Sequence, residues 1–309
     1  MRIVFFGSAP IGFSLLEALL SSAQEEVVAV VTQPDRLSGR KLQITPCPVK
    51  TFTVERGLAV LSPEKVGSED SLKQLAALHA DLFVVAAYGQ YIPKSVRILP
   101  PSGIINLHPS LLPKYRGAAP IQRAIANGDT MTGATIVYVS EKMDAGDIII
   151  QREMPIGPED TALAMEPKLA ELGAELLMQA IEQIRSGTVQ ACPQDDSMAT
   201  EAPKLTKEEG LIDWNLPAET LRNRIRGFQP WPGCFCKGPD GQRLKVLAAS
   251  IEAAGGAPGE VLDVAGEGPL VAAGEGSLRL TQVQPAGKRA MDGAAYLRGY
   301  PLQPGTHLG

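Results

Sequence analysis

The chain reads as α/β, with a mostly parallel sheet covered by helices on both faces, followed by a small β-barrel domain. Three observations predict this. Short, continuously apolar runs alternate with helical patterns over the first two-thirds of the sequence, as expected for parallel strands buried on both faces. A polar, proline-containing stretch without periodicity, Gly187–Lys204, then reads as a linker between domains. Beyond it, five or so short β-like runs punctuated by glycine and proline fall within about 80 residues, the pattern of a small barrel.

Arg2–Phe6 is an apolar run that stops at Gly7, a first strand. Ile11–Ser22 carries Phe13, Leu16, Leu19 and Leu20 at helical spacing. Val27–Val31 is apolar and β-branched, and Ala59–Leu61 is a short third strand. Ser71–Leu78 is helical, Leu82–Ala86 a buried strand, Pro93–Leu99 a short helix and Gly103–Leu107 the next strand. Pro120–Asn127 is a helix closed by Gly128, and Ala134–Val139 and Asp147–Arg152 are further strands. Thr161–Ser186 is the longest helical pattern, with Gly187 as its stop. Pro167 lacks an N–H and clashes with the preceding turn, so a break is expected near Glu166, with Pro167 opening the longer helix. After the linker, Leu216–Arg226 is a helix, and Cys234–Lys237, Leu244–Ser250, Gly259–Val264, Leu270–Ala273 and Leu278–Val283 are the barrel strands.

Composition narrows the function classes. Apolar residues are 44% and charged residues 20% of 309, ordinary for a soluble globular protein. No apolar run approaches the ~20 residues that span a bilayer. The first residues meet Gly7 and Pro10 at once, too soon for a signal-peptide core, so a cytoplasmic protein is expected. Cys47, Cys192, Cys234 and Cys236 are scattered. Cys-Phe-Cys would point two thiols to one face of a strand, without the further ligands a zinc site needs, and free thiols are expected. Net charge is −5, yet residues 205–309 hold 11 basic and 11 acidic side chains. That neutral part with local basic clusters could meet an anionic partner.

Gly7-Ser8-Ala9-Pro10-Ile11-Gly12 sits where a dinucleotide fingerprint would lie but lacks its spacing, and no G-K-[ST] occurs there. It reads as a tight turn into a helix. The informative stretch is Ile104–Pro120. Asn106 and His108, at i and i+2 of a strand, point the same way from the carboxyl end of a parallel strand, where α/β sheets bind ligands. Three prolines and Gly117 then fix an irregular loop. Asp144, in Met143-Asp-Ala-Gly-Asp147, could face His108 across a cleft. Asp147 reads as a turn cap or the start of the next strand, and the residues alone leave the choice between the two carboxylates open. An amide and an imidazole aimed at a developing oxyanion, with a carboxylate to hold or take a proton, suit acyl transfer to an amine. A Ser–His–Asp hydrolase would use Ser110, but no G-x-S-x-G elbow is present. No metal is called for.

Together, Asn106-x-His108, Ser110-Leu-Leu-Pro-x-Tyr-Arg-Gly117 and the Met-Asp-x-Gly-Asp loop resemble the 10-formyltetrahydrofolate-dependent formyltransferases. The resemblance implies Asn106, His108 and Asp144 as the catalytic set. It implies folate contacts from Ser110, Leu111, Leu112 and Pro113, and from Tyr88, Gly89, Gln90 and Ile92, the latter largely through main chain. Four further stretches resemble the family members whose acceptor is methionyl initiator tRNA. Thr32–Lys41, continuing to Pro46–Lys50, resembles the basic insertion loop (residues 33–48) that meets the tRNA acceptor end, with Arg36, Arg40 and Lys41 as contacts. Lys204–Trp214 resembles the junction to the second domain, with Lys204 and Lys207. Arg224–Gly233 and Gln284–Met291, with Lys288 and Arg289, resemble that domain's signatures. The resemblance runs nearly the whole chain. It implies a Rossmann-like domain over residues 1–190, a linker over 191–205 and an OB-like tRNA-binding barrel over 206–309, in a protein expected to act as a monomer away from membranes.

Arg222, Arg224 and Arg226 also suit phosphate contact. Because 224 leaves the face that 222 and 226 share, at least one is expected to be an ordinary surface or salt-bridge residue. Trp231, between two prolines, reads as a core or hinge residue. A small acceptor such as a purine precursor or an amino sugar would need neither the basic loop nor a second domain. Hydrolysis of the folate carrier would run without an acceptor, and a non-enzymatic tRNA-binding module would leave Asn106 and His108 unexplained.

Overall fold

The computed structural model describes residues 1–38 and 43–309, with Leu37, Ser38 and Gln43 described by backbone alone. Met1–Pro120, Met131–Pro155 and Glu166–Ala202 form one compact unit; Ile121–Thr130, Ile156–Met165 and Pro203–Gly309 form a second.

In the first unit the chain runs β1 (Arg2–Gly7), α1 (Gly12–Ser21), β2 (Glu26–Val31), the short pair β3 (Arg36–Ser38) and β4 (Gln43–Thr45), α2 (Pro48–Glu55), β5 (Val60–Leu61), α3 (Glu69–Ala77), β6 (Leu82–Ala86), α4 (Lys94–Arg97), β7 (Ile104–His108) and β8 (Arg116–Gly117). After α5 (Pro120–Ala126) come β9 (Met131–Tyr138), β10 (Ile148–Pro155), α6 (Ala162–Ser186) and β11 (Glu201–Ala202). The seven-stranded sheet has the order β10-β9-β7-β6-β1-β2-β5. β7, β6, β1, β2 and β5 are mutually parallel, while β9 runs antiparallel to β7 and β10 to β9. The chain lays β2 and β5 on one side of β1, then returns to lay β6 and β7 on the other. Such a reversal opens a crevice at the carboxyl ends of the central strands.

The central strands β1 and β6 are almost wholly apolar because both faces are covered. Ile3, Val4, Phe5 and Phe6 are all fully buried. Val4, Phe6, Val31, Leu75, Phe83 and Val85 belong to one core cluster. On β7, Leu107 packs onto α6 at Gly173, where an added Cβ would lie 2.5 Å from a Leu107 methyl. Alternation along the strand then sends Asn106 and His108 to the opposite face.

Three features differ from the sequence reading. α6 is continuous from Ala162 to Ser186 with Pro167 inside it, so the break expected near Glu166 does not occur. Proline forfeits the bond to the Leu163 carbonyl. Leu163 and Pro167 are both exposed, and a carbonyl on the solvent side of a helix can bond water instead. The polar Gly187–Lys204 stretch is ordered over much of its length. Cys192 bridges to Ile148, and β11 pairs in parallel with β8. α2, a helix too weakly patterned for periodicity to pick out, begins with Pro48 at its first turn, where the missing N–H costs nothing.

The second unit holds α7 (Ala218–Gly227), β12 (Cys234–Lys237), β13 (Arg243–Glu252), β14 (Val261–Asp263), β15 (Leu270–Ala272), β16 (Ser277–Pro285), β17 (Met291–Asp292) and α8 (Gly293–Gly299). Its antiparallel sheet has the order β12-β13-β16-β15-β14, with β17 on β16. Register shifts in β13 near Val246, Ala248 and Ala249 bend the strand as an OB-like barrel requires. Cys234 and Cys236 do share one face, and burial pushes both thiols up to about 12. Arg279 ties three strands by pairing with Glu252 and Asp263. At the end of α7, Gly227 lies against the backbone of Gln122 and Ala126, and Arg226 donates to the Gly157 and Asp160 carbonyls.

Candidate active site

His108 ends β7 almost wholly buried, 4% exposed. Its Nε2 lies 2.8 Å from the Tyr115 carbonyl oxygen. A carbonyl can only accept, so Nε2 carries a proton. The other ring nitrogen, Nδ1, stands 3.6 Å from Asp144 Oδ2. That separation is too long for a hydrogen bond but short for two charges. Asp144 Oδ2 also accepts the Gly117 N–H at 3.0 Å. Asp147 is exposed, so Asp144 is the carboxylate set against the imidazole. Asn106, half-buried on the same face, makes no hydrogen bond through its carboxamide among the described residues, leaving a donor and an acceptor free at the strand end.

The loop after β7 is held from below. Thr135 of β9 is fully buried, and its hydroxyl donates to the Ser110 carbonyl at 2.7 Å. It accepts from Leu112 N at 3.3 Å and from Gln151 Nε2 at 2.7 Å, and Gln151 also donates to the Leu112 carbonyl. Every bonding position of that hydroxyl is filled. The Leu112–Pro113 peptide is cis. Ser110 is fully buried and its hydroxyl proton is committed to the Lys114 carbonyl rather than to His108. This removes the hydrolase arrangement weighed from sequence. Leu112 is buried; Leu111 and Pro113 are half-buried.

Strain collects around this point. Four non-glycine residues of the described chain have left-handed φ, and three of them are Ala87 (47°), Tyr115 (62°) and Asp144 (51°). Each such residue costs on the order of 1–3 kcal/mol and persists only where its surroundings over-determine it. Tyr115 is fixed by its N–H to Thr200 Oγ1 at 2.8 Å. Gly117, at φ 124°, lies so close to the Ala202 carbonyl that a Cβ would sit 2.6 Å from it, and only glycine permits the β8–β11 pairing.

On the neighbouring strand β6, the 87–92 turn offers its backbone. The Tyr88 ring packs in the core against Phe6, burial pushes its phenol above the usual range, and its hydroxyl has no partner. The Tyr88 carbonyl accepts from Ser8 Oγ. Gln90 accepts from Val66 N and donates to the Pro63 carbonyl, and Ile92 is buried. Gly89 is exposed at φ 83°. A surface depression lined by Leu75, His79, Asp81, Phe83, Leu99 and Pro101 lies instead at the amino ends of β6 and β7, the end of the sheet away from Asn106 and His108.

Comparisons with known proteins identify the family. Residues 1–181 match the formyl transferase family model, and residues 204–301 match the model of the formyl transferase C-terminal domain. The chain belongs to the formyl transferase family. A methionyl-tRNA formyltransferase from Moorella thermoacetica is 44% identical over 100% of this chain and 99% of the relative. Another, from Bacillus licheniformis, is 45% identical over 100% and 98%. Among solved structures, HypX from Aquifex aeolicus in complex with tetrahydrofolic acid is 20% identical at TM-score 0.63, covering 100% of this chain and 50% of HypX. An N-formyltransferase from Helicobacter canadensis, in complex with folinic acid and dTDP-3-aminofucose, is 16% identical at TM-score 0.64, covering 91% and 99%. These two share the formyl transferase fold.

The basic residues read from sequence in this formyl transferase fall into different classes. Arg36, Lys204, Lys207, Lys288 and Arg289 are exposed, with no ion-pair partner among the described residues. Arg40 and Lys41 lie outside the described residues. The junction is fixed by Glu209, which pairs with Arg123 and accepts Thr206 N–H. That arginine holds the Glu209 carboxyl below its usual range. Arg222 pairs with Glu159 and Arg226 is buried on backbone carbonyls, which leaves Arg224 half-buried, its charge felt by Asp213 but in no close ion pair among the described residues. Trp231 is 51% exposed, so of the core and hinge readings the core one does not hold. Thr135, Gln151 and Thr200 escaped the sequence reading. Each is a single polar residue in an otherwise unremarked segment, and only tertiary structure shows what it holds.

Proposed function

We infer that this chain transfers the formyl group of 10-formyltetrahydrofolate to the α-amino group of the methionyl moiety on initiator tRNA, giving N-formylmethionyl-tRNA for translation initiation. The observation that carries the reading is the convergence of Asn106, His108 and Asp144 at the carboxyl end of β7, in a chain that matches methionyl-tRNA formyltransferases over its whole length.

The residues present fit a folate donor. The 87–92 turn follows the strand paired with β7 and leaves Gly89 exposed, while Leu111 and Pro113 of the 110–113 loop present half-buried apolar side chains, a lining that suits a planar ring with a few main-chain partners. When bound, the donor supplies the formyl carbon. Asn106 donates from its carboxamide to the formyl oxygen as negative charge gathers there. His108 is oriented by the Tyr115 carbonyl. The Asp144 carboxylate, 3.6 Å from His108 Nδ1, sets a negative charge beside the ring at the reacting carbon. Asp144 accepts the proton that the attacking amine sheds; the bond from the formyl carbon to the folate nitrogen then breaks, and that nitrogen takes up the proton and leaves as tetrahydrofolate. Residues 1–190 carry this chemistry, 191–205 join the parts, and 206–309 bind tRNA, with Arg36, Arg40, Lys41, Lys204, Lys207, Lys288, Arg289 and Arg224 on phosphates. The protein works as a cytoplasmic monomer; among the described residues no helix is long and apolar enough to cross a membrane.

The test is formyl transfer from 10-formyltetrahydrofolate with methionyl initiator tRNA and free methionine as parallel acceptors. Transfer to the tRNA alone is expected. Formate release without acceptor, or transfer only to a small amine, would overturn the tRNA reading.

A further inference from the structure

The polar segment after α6 contributes one residue that the chemistry above does not explain. Within 192–198 every residue is exposed except Gln194, which turns inward. Its Nε2 donates to the Asp144 carbonyl and to the Gly146 carbonyl, both at 2.8 Å. Its Oε1 accepts from Arg116 Nε at 3.0 Å and Nη2 at 2.8 Å. Arg116 is itself anchored on Asp196 at 2.8 Å. A guanidinium can only donate and carbonyls can only accept. The amide therefore has a single satisfactory orientation, and Arg116 sets it.

We propose that Gln194 is a positioning residue of the formyl transfer, clamping the Asp144 loop in its left-handed form so that the carboxylate stands against His108. The circuit closes on itself. Arg116 orients Gln194, Gln194 fixes the backbone of Asp144, and Asp144 Oδ2 accepts the N–H of Gly117, the residue next to Arg116. A left-handed aspartate is tolerated but still costs energy, so its surroundings must select it. Here two charge-neutral hydrogen bonds on flanking carbonyls select that backbone, and the Gly117 bond aims the side chain. The part as catalytic positioning rests on the formyl-transfer reading; the geometric clamp does not.

The experiment uses the full chain with Gln194→Met, of similar volume but without donors, and Gln194→Glu, which keeps the Arg116 contact but faces both carbonyls with an acceptor. Loss of alignment at a reacting centre costs on the order of 100-fold. We expect kcat for methionyl-tRNA to fall by that order in both variants, with KM for folate and tRNA within about twofold of wild type. The pH profile of kcat should shift as well. Arg116→Met should act through the same link, so the Arg116→Met/Gln194→Met double variant should lose no more than the worse single. Imidazole 15N NMR gives an activity-independent readout, because the chain has only 3 histidines. The His108 ring signals should move in Gln194→Met, and those of His79 and His307 should not. Unchanged His108 signals, or a variant that loses only thermal stability while kcat and its pH profile stay wild-type, would overturn the proposal. Absent transfer by the wild-type protein with a shifted His108 signal would sink the functional reading and leave the clamp standing.

Discussion

Replacing Asp144 with asparagine isolates the charge facing His108. The asparagine carbonyl can still accept the Gly117 N–H, so the left-handed loop keeps its anchor. What disappears is a negative charge 3.6 Å from His108 Nδ1, between side chains only 5% and 14% exposed. At an effective dielectric of about 20, two unit charges at that separation attract by about 5 kcal/mol. If half of this is felt as the amine attacks, the barrier rises by about 2.5 kcal/mol and the rate falls about 70-fold; the whole of it gives about 5,000-fold. Single-turnover formyl transfer to methionyl initiator tRNA, with enzyme in excess and pH varied, reads the chemical step directly. The predicted result is a fall within that range, with tRNA affinity by filter binding unchanged. A variant within threefold of wild type at every pH would refute the charge argument and leave Asp144 as a structural cap.

Three further outcomes are expected. Thr135→Val leaves the Ser110 carbonyl and Leu112 N–H without their partner; at about 1–3 kcal/mol per buried orphan, Tm should drop by roughly 5 °C and KM for the formyl donor should rise, whereas an unaltered KM would disconnect the bracket from the folate loop. Burial raises the Glu166 carboxyl above its usual value of 4.5, opposed by the Ile11 backbone N–H; the folded state therefore holds that proton more tightly, stability falls as pH rises from about 4.5 through the raised value, and Glu166→Gln should increase Tm at pH 7 but not below pH 4. An equal gain at both pH values would exclude ionisation as the cause. Arg224→Gln should weaken tRNA binding and flatten its log–log salt slope by about one, while Arg222→Gln, whose guanidinium is spent on Glu159 and the Pro158 carbonyl, should lower Tm and leave the slope alone.

What the sequence made legible follows from range of interaction. Strand positions came from local runs, because a strand buried on both faces is mostly apolar. Asn106 and His108 were placed on one face by alternation alone. The antiparallel turn of β9 and β10 was invisible, since strand direction depends on pairing partners and not on composition. The continuity of α6 through Pro167 depended on which way one carbonyl faces. The choice of Asp144 over Asp147 was likewise undecidable from spacing, because it is made by a left-handed backbone held from residues 117 and 194. Gln194, Thr135 and Thr200 lacked any local signal. Their partners lie 16 to 85 residues away, and nothing in a glutamine or threonine announces such a bond.

The segmented make-up of the second unit bears on how the protein can be taken apart. The segments 121–130 and 156–165 belong with 203–309 although the chain places them far earlier. A stop codon introduced near residue 203 would not shed a self-contained module. It would strand the α5 surface that meets Gly227 and leave the 157–160 turn without the guanidinium of Arg226. Deletion mapping of tRNA binding would then report misfolding as lost affinity. Supplying 203–309 in trans should recover both together, which makes split-chain complementation the sound way to dissect this enzyme and point substitution at exposed cations the sound way to map its RNA contacts.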